Sequence, residues 1–232
     1  MVGYLSSNSL VLLSFGTVIA AKHGQKPLLA VATEEGSVHL IDASKRKNWD
    51  CGAIPSPVVM PIASDVRIAE PSRFVFQPHD NGIFDVKWNP SDTLLATCSG
   101  DKTTRISCPT TGSLLNDLRG HTGTVKCAAW DPSHRDLLST GGRDGTICIW
   151  DLRTSKREGT GDGEDISFGG AAMIIRNAHG SDIKSKGRRK KTAPLAKSVT
   201  SLLYLEGEPF RLISSGSSDG YVATFKPKID VR

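Results

Sequence analysis

The feature that most constrains this chain is the stretch from Gly120 to Arg153, which reads GHTGTVKCAAWDPSHRDLLSTGGRDGTICIWDLR. It contains three short strand-like runs, and the last one alternates apolar and polar residues up to Trp150. Two tight turns separate the runs, at Asp131-Pro132 and at Arg143-Asp144-Gly145. Gly145 suits a hairpin turn because glycine tolerates a left-handed backbone. The stretch therefore predicts consecutive antiparallel strands.

The same stretch opens on Gly-His and closes on Trp-Asp, which is the signature of the WD40 repeat. Each WD40 repeat supplies four antiparallel strands that form one blade of a β-propeller. A similar unit precedes it, and the turn acids of the two units, Asp101 and Asp144, are 43 positions apart. This separation lies within the period of about 40 to 45 residues expected of the repeat. The chain is therefore predicted to contain several propeller blades.

Four units of this kind can be traced along the chain. The first is degenerate and keeps only two strand-like runs around a turn at Glu35, while the second has Ser107 at the position of Trp150. In the fourth unit Asp219 occupies the position of the turn acid. The predicted fold is all-β, an incomplete WD40 β-propeller of about four antiparallel, four-stranded blades. The units span about residues 28–76, 77–118, 119–158 and 199–232, after a non-repeat segment at 1–27.

Four side chains of the third unit are predicted to form a buried hydrogen-bonded tetrad. In this interpretation Asp144 accepts a hydrogen bond from the imidazole of His121. The imidazole donates to the hydroxyl of Thr140, which also meets the indole N–H of Trp150. The second unit repeats three of these positions, as His79, Thr97 and Asp101. Thr, His and Asp also form catalytic triads, but at this spacing we interpret them as structural and predict no enzyme activity.

Metal, cofactor and membrane binding are not expected from the sequence. The chain carries five cysteines, which lack CxxC or Cys/His metal-ligand spacing, so we interpret them as reduced thiols of an intracellular protein. We expect neither a metal nor a cofactor. The apolar run from Leu10 to Ala21 is too short to span a membrane. A secretory signal is the alternative interpretation of this run.

Residues 159–198 interrupt the repeat pattern and are rich in glycine and charged residues. We expect a flexible, mostly irregular basic insert, because such a segment cannot bury enough apolar surface to order itself. Six of its basic residues are clustered: Lys184, Lys186, Arg188, Arg189, Lys190 and Lys191. The cluster indicates a nuclear localisation signal, a nucleic-acid contact or a solvated loop. Because no aromatic residues are interleaved, a nucleic-acid contact would be limited to nonspecific phosphate binding.

The third unit ends in the motif Trp150-Asp151-Leu152-Arg153, which places an arginine at the rim where a strand exits. This WDxR motif resembles that of WD-repeat substrate receptors, which dock onto the propeller adaptor (damage-specific DNA-binding protein) of cullin-4 RING ubiquitin ligases. The order of the other segments is similar to that of the denticleless-type receptors over about residues 28–225. The segments are LLAVATEEGSVHLID, HDNGIFDVKW, GHTGTVKCAAW, STGGRDGTICIWDLR, NAHG before the basic insert, and SSGSSDGYV.

The resemblance implies a substrate-recognition subunit of a cullin-4 RING ubiquitin ligase. Such receptors act in replication-coupled, PCNA-linked protein degradation and in cell-cycle control. Trp150, Asp151 and Arg153 would bind the adaptor, and the other partners would be protein substrates bound to PCNA. The expected location is the nucleus, and no membrane partner is expected. A generic nuclear WD-repeat scaffold for chromatin or other protein complexes is the alternative.

The sequence also departs from the family pattern. The next unit of the family usually ends in a second WDxR motif, whereas this chain has Phe225-Lys226-Pro227-Lys228 at that place. The family has a full ring of blades and a C-terminal tail, whereas about four blades can be traced here. We therefore expect a truncated form in which adaptor binding depends on the single motif at Arg153.

Overall fold

A computed structural model describes residues 28–42, 73–154, 156–159, 165–179, 197–208, 210–216 and 222–226. These residues form strands joined by turns, with one short 3-10 helix at Leu152–Thr154. No helix in this part of the chain is long and apolar enough to cross a membrane. The four cysteines that the structure describes are all unpaired.

The strands are numbered in chain order. They are β1 (Leu28–Ala32), β2 (Val38–Asp42), β3 (Arg73–Phe76), β4 (Ile83–Trp88), β5 (Leu95–Ser99), β6 (Thr103–Ser107), β7 (Leu114–Arg119), β8 (Val125–Trp130), β9 (Leu137–Gly142), β10 (Ile147–Asp151), β11 (Lys156–Gly159), β12 (Asp165–Gly169), β13 (Met173–Ile175), β14 (Val199–Tyr204), β15 (Leu212–Gly216) and β16 (Val222–Phe225).

The strands form four sheets, which we call blades one to four. Blade one has the order β1-β2-β3, and blade four the order β14-β15-β16. Blade two contains β4 to β7, and blade three contains β8, β9, β10 and β13. Consecutive strands within each blade are antiparallel. The predicted all-β fold of antiparallel propeller blades is confirmed.

Turn chemistry fixes the register of the first blade. Gly36 lies between β1 and β2 at φ 87°, where a Cβ atom would lie 2.1 Å from the backbone oxygen of His79. Only glycine suits this position, because other residues would be strained by the positive φ and would collide with blade two. The degenerate first unit therefore keeps the hairpin of a blade, as the turn at Glu35 predicted.

Strands β12 and β13 lie within residues 159–198, where a mostly irregular insert was expected. β11 and β12 pair with each other, and β12 adds in parallel to the outer edge of β7 in blade two. β13 pairs antiparallel with β10 and is the fourth strand of blade three. The third unit was expected to end near residue 158, but its outer strand comes later in the chain. The backbone groups on the outer edge of β10 need a partner, and this short apolar strand supplies it.

Each pair of neighbouring blades shares one buried apolar cluster. The cluster between blades two and three centres on Trp130, Leu138 and Trp150. A second cluster joins blades one and two, and a third joins blades three and four. Burying a large apolar side chain contributes about 1.5 to 3 kcal/mol, so these clusters hold the blades in sequence as an arc.

Hydrogen bonds between blades add specificity to this packing. The indole N–H of Trp130 donates to the backbone oxygen of Lys87 at 3.2 Å. At the next interface the hydroxyls of Tyr204 and Ser139 lie 2.5 Å apart. Burial raises the pKa of Tyr204 to about 12, so its hydroxyl stays protonated near neutral pH. Trp130 and Tyr204, which occupy equivalent positions in blades three and four, thus each form a hydrogen bond with the preceding blade.

Candidate functional site

The predicted tetrad of blade three is present in the structure. The Nδ1 atom of His121 lies 3.2 Å from the carboxylate of Asp144, and its Nε2 atom lies 2.9 Å from Thr140 Oγ1. The indole N–H of Trp150 donates to the same hydroxyl oxygen at 2.8 Å. These groups connect the turn before β8 to the two strands β9 and β10. The tetrad therefore ties three segments of the blade together.

The charges within this tetrad support each other. Burial alone disfavours the charged form of His121, but its hydrogen bond with Asp144 raises the pKa of the imidazole to about 9. Burial likewise opposes the charge of Asp144, but hydrogen bonds from His121 and Thr146 hold the pKa of its carboxyl well below the ordinary value. The pair is therefore ionised at neutral pH, and both ring nitrogens of His121 donate.

Blade two contains a shorter version of the tetrad. His79 lies 2.7 Å from the carboxylate of Asp101 and 2.9 Å from Thr97 Oγ1. The position of the tryptophan is taken by Ser107, whose buried hydroxyl has no hydrogen-bond partner. The Thr97 hydroxyl donates instead to the backbone oxygen of Arg105 at 3.3 Å. The tetrad of blade two therefore has no aromatic ring to close it.

Blade four contains a further pair of a histidine and a hydroxyl. The Nε2 atom of His179 lies 2.8 Å from the hydroxyl of Ser214, and both side chains are buried. Ser214 occupies the position of Thr140, so His179 acts as the tetrad histidine although the insert separates it from β14. In the sequence His179 is the displaced counterpart of His121, because His121 lies four positions before β8 and His179 lies twenty positions before β14. The turn acid Asp219 lies outside the described residues.

None of these groups forms an accessible catalytic centre. His121 and Thr140 are buried and satisfy one another, which is the geometry of a structural network. Among the residues that the structure describes, no group of His, Cys, Asp and Glu could hold a metal ion. The absence of enzyme activity stays a prediction.

The WDxR motif lies at the opposite end of blade three from the tetrad turn. Trp150 and Asp151 are buried in β10, and Arg153 follows in the 3-10 helix. Asp151 accepts hydrogen bonds from the backbone N–H of Arg153 at 3.1 Å and from its Nε at 2.9 Å. The terminal nitrogen of Arg153 donates to the second carboxylate oxygen at 2.6 Å. These bonds hold the pKa of Asp151 below its ordinary value and fix the arginine fork.

Arg153 faces a small cavity on the rim of blade three. The cavity has a volume of about 200 Å³ and is bordered by Arg153, Asp151 and the β8–β9 turn at residues 133–137. Within this turn His134 lies 3.2 Å from Asp131 and stacks on Phe210 of blade four, with ring centroids 4.5 Å apart. The arginine side chain is 40% exposed. The rim thus presents the cation of Arg153 in a fixed orientation, beside a turn that His134 and Phe210 hold in place. The contact with Phe210 was not predicted.

Two parts of the predicted site cannot be placed. The basic cluster lies outside the described residues: Lys184, Lys186, Arg188, Arg189, Lys190 and Lys191. Phe225, at the end of β16, packs against the cluster between blades three and four, and Lys226 is exposed. Pro227 and Lys228 lie outside the described residues. No second aspartate–arginine pair was predicted at this position.

Comparison with protein families matches the WD domain, G-beta repeat, at residues 71–106 and 112–151. Each match begins near the outer strand of one blade and reaches the third strand of the next. Among solved structures, the chain is similar to one in the "Crystal Structure of Mitotic Checkpoint Complex", with a TM-score of 0.58 and 16% identity. That similarity covers 87% of this chain and 45% of the other. It supports the propeller fold alone.

Known proteins give a more specific relationship. The chain is 33% identical over 217 residues to the denticleless protein homolog of Danio rerio, covering 90% of this chain and 28% of the relative. It is 32% identical to denticleless protein homolog B of Xenopus laevis, covering 90% of this chain and 27% of the relative. The protein lethal(2)denticleless of Drosophila melanogaster is 28% identical, with coverages of 90% and 25%. The chain therefore spans about a quarter of the length of these relatives. With its repeats and its blades, the chain is a WD-repeat protein of the denticleless type.

Proposed function

We propose that this chain is the substrate-recognition part of a cullin-4 RING ubiquitin ligase. In this proposal it binds the propeller adaptor and presents protein substrates associated with PCNA for replication-coupled degradation. The observation that carries the proposal is Arg153, held by Asp151 on the rim of blade three. The similarity to denticleless proteins supports it, because the motif lies within the matched part of the chain.

The geometry of Arg153 suits a protein contact. Asp151 orients the guanidinium before any partner binds, so less side-chain entropy is lost on association. A planar, permanently charged fork can bind carboxylates or backbone oxygens in a bidentate manner, which a lysine cannot do. Arginine is also one of the residues enriched among interface positions that contribute most to affinity.

Adaptor capture tests this proposal. Arg153→Ala should weaken binding to the purified adaptor by about thirtyfold, since interface arginines of this kind cost roughly 2 kcal/mol when truncated. Arg153→Lys should also weaken it, because the charge remains but the fork is lost. The measurement is the dissociation constant of the full chain for immobilised adaptor, at matched unfolding midpoints.

Arg119 supplies a matched control. It too is an exposed arginine that binds the aspartate two positions earlier, with its Nε 3.1 Å and its terminal nitrogen 2.7 Å from Asp117. It ends β7 in blade two, away from the rim cavity. Arg119→Ala should leave capture unchanged. Equal capture by wild type and Arg153→Ala would contradict the proposal and favour a generic WD-repeat scaffold.

The proposal also places the protein in the nucleus. The basic cluster at residues 184–191 would act as the import signal, since six cations within eight positions suit recognition without a fold. Replacing Arg188, Arg189, Lys190 and Lys191 by alanine should move a large tagged fusion from the nucleus to the cytoplasm in fluorescence images. A fusion too large to diffuse through pores that stays nuclear after this change would contradict the assignment.

A further inference from the structure

The inner strands of blades two, three and four border a second cavity, distinct from the WDxR rim. β4, β8 and β14 each lie at one end of their sheet, so one edge of each strand has no partner strand among the described residues. A cavity of about 220 Å³ lies between them near their first residues. Its walls include Phe84 of β4, Lys126 of β8, and Thr200 and Ser201 of β14. Three blades thus contribute to one small surface.

Two lysines line this cavity, and within the described part of the chain only one of them is paired with a carboxylate. Lys87 lies 3.5 Å from the carboxylate of Asp85, and that carboxylate also accepts the backbone N–H of Ala128 at 2.9 Å. Lys126 has no carboxylate within ion-pair distance among the described residues. Its Nζ atom lies 3.5 Å from the centre of the Phe84 ring. A cation over an aromatic face is stabilised less than a cation that forms charge-assisted hydrogen bonds with a well-placed carboxylate.

A second cation reinforces this positive charge. Arg143 lies in the β9–β10 turn, where its backbone N–H donates to Thr124 beside the start of β8. Burial and the nearby charge of Arg143 both lower the pKa of Lys126. The neighbouring carboxylate of Asp144 is bound to His121 and to Thr146, so it does not neutralise these cations. The two cations repel each other unless an anion lies between them.

The remaining walls suit a peptide. Phe84 is 39% exposed, although large aromatic side chains are normally buried. On the opposite wall Thr200 and Ser201 are both exposed, and the Thr200 hydroxyl donates to the backbone oxygen of Ser215 in the same blade. An aromatic surface, the cation of Lys126 and the hydroxyl of Ser201 around a space of about 220 Å³ match one or two side chains of an extended segment. One exposed aromatic is too little for the stacking that single-stranded nucleic acid requires.

We propose that this cavity binds an acidic peptide segment of a protein substrate. A carboxylate of the segment pairs with Lys126, while Arg143 adds positive charge from the nearby β9–β10 turn, and a neighbouring apolar side chain packs on Phe84. The inference rests on the receptor role proposed above and assigns a substrate-binding surface to it. The adaptor contact at Arg153 is separate, since it lies at the other end of blade three.

Peptide binding to the full chain tests the proposal directly. The probe is a fluorescein-labelled peptide of alternating glutamate and leucine, and the matched probe has glutamine in place of glutamate. We expect the glutamate peptide to bind at least about tenfold more tightly by fluorescence anisotropy, equivalent to about 1.4 kcal/mol. Its binding should weaken as salt rises from about 50 to 500 mM, because exposed ion pairs are screened.

Substitutions then locate the binding site. Lys126→Met removes the charge but keeps an unbranched side chain, and it should weaken binding of the glutamate peptide about tenfold. Lys102→Met is the matched control, because Lys102 is an exposed lysine in the β5–β6 turn of blade two, outside the cavity. Phe84→Ala should weaken both peptides, since both carry leucine.

Several results would overturn the inference. Equal binding of the two peptides to the wild-type chain would do so without any variant, as would unchanged binding by Lys126→Met. A phosphoserine peptide that binds more tightly than the glutamate peptide would overturn the assignment to carboxylates. Adaptor capture by Lys126→Met should equal that of wild type, so failure of this inference and failure of the adaptor contact can be told apart.

Discussion

At the residue scale, the third blade depends on four polar side chains that satisfy one another away from water. Thr140 receives hydrogen bonds from both His121 and Trp150, so loss of either side chain removes a donor and leaves a buried acceptor site of the Thr140 oxygen unfilled. Such a loss costs more than the bond itself contributes, because the orphaned group keeps its desolvation penalty. In blade two the closing ring is replaced by Ser107, whose hydroxyl is unsatisfied. Blade three is therefore the best-fixed support for the rim arginine.

Replacing His121 by alanine should destabilise the chain by about 1 to 3 kcal/mol, because Asp144 and Thr140 lose their shared partner. The loss should also depend on pH. The pKa of His121 is raised to about 9, so its ion pair stabilises the fold fully below the ordinary pKa of 6.5 and ceases to do so as pH rises through 9. The difference in unfolding free energy between wild type and His121→Ala should shrink over that interval.

Chemical denaturation at several pH values measures this difference. His134→Ala is the comparison, since His134 pairs with Asp131 on the partly exposed rim and should lose under about 1 kcal/mol. A His121→Ala variant as stable as wild type, or a difference that stays constant from pH 6.5 to 9, would contradict the account of the tetrad.

Side-chain partners within a blade were predictable from spacing, whereas across the insert the sequence indicated His179 but not its partner Ser214. His121, Thr140, Asp144 and Trp150 lie on strands joined by short turns, so their separation in sequence fixes their separation in space. His179 meets Ser214 across 35 positions, a separation that the repeat spacing does not determine. The stacking of Phe210 on His134 joins two blades, and no local pattern indicates such a contact.

At the element scale, the main difference from prediction concerns the outer strands. Sequence patterns revealed the inner three strands of blade three, since they alternate or are continuously apolar. β13 has only three residues and follows the β11–β12 hairpin, so it lacks a periodic signal. Its position is determined by antiparallel pairing with β10, in which Ile175 lies opposite Ile147 and Met173 lies opposite Ile149. Pairing between distant segments is a tertiary effect that local propensity does not encode.

Two neighbouring residues of β13 test its placement. Ile175 packs against the cluster between blades three and four, whereas Ile174 points to the other face and is 39% exposed. Ile175→Asp should destabilise the chain by about 2 kcal/mol or more, because a carboxylate would enter an apolar cluster. Ile174→Asp should change stability by less than about 0.5 kcal/mol. Denaturant unfolding of the two variants checks this, and equal losses would show that β13 is misplaced.

At the scale of the whole molecule, four blades pack in sequence and each buries one face against its predecessor. Blade four places Leu202, Tyr204 and Leu212 against blade three. Its other face carries Leu203 opposite Ile213, with Val222 on the same side of the sheet. Leu203 is 61% exposed and Val222 is 67% exposed. A repeat architecture is stable when each apolar face meets a neighbour, and on blade four one face is left without one in the described structure.

This face should make the chain associate with itself in solution. Exposed apolar patches on a sheet favour contact with a second copy, and the hydrophobic effect contributes about 25 cal/mol per Å² of apolar surface removed from water. Sedimentation velocity should show species larger than a monomer whose fraction rises with concentration. Leu203→Lys combined with Val222→Lys should shift the distribution toward monomer, because charged side chains resist burial.

Ile174→Lys, at an exposed isoleucine on blade three, should leave the distribution unchanged. A wild-type chain that sediments as a single monomeric species at all concentrations would show that the outward face of blade four is already covered.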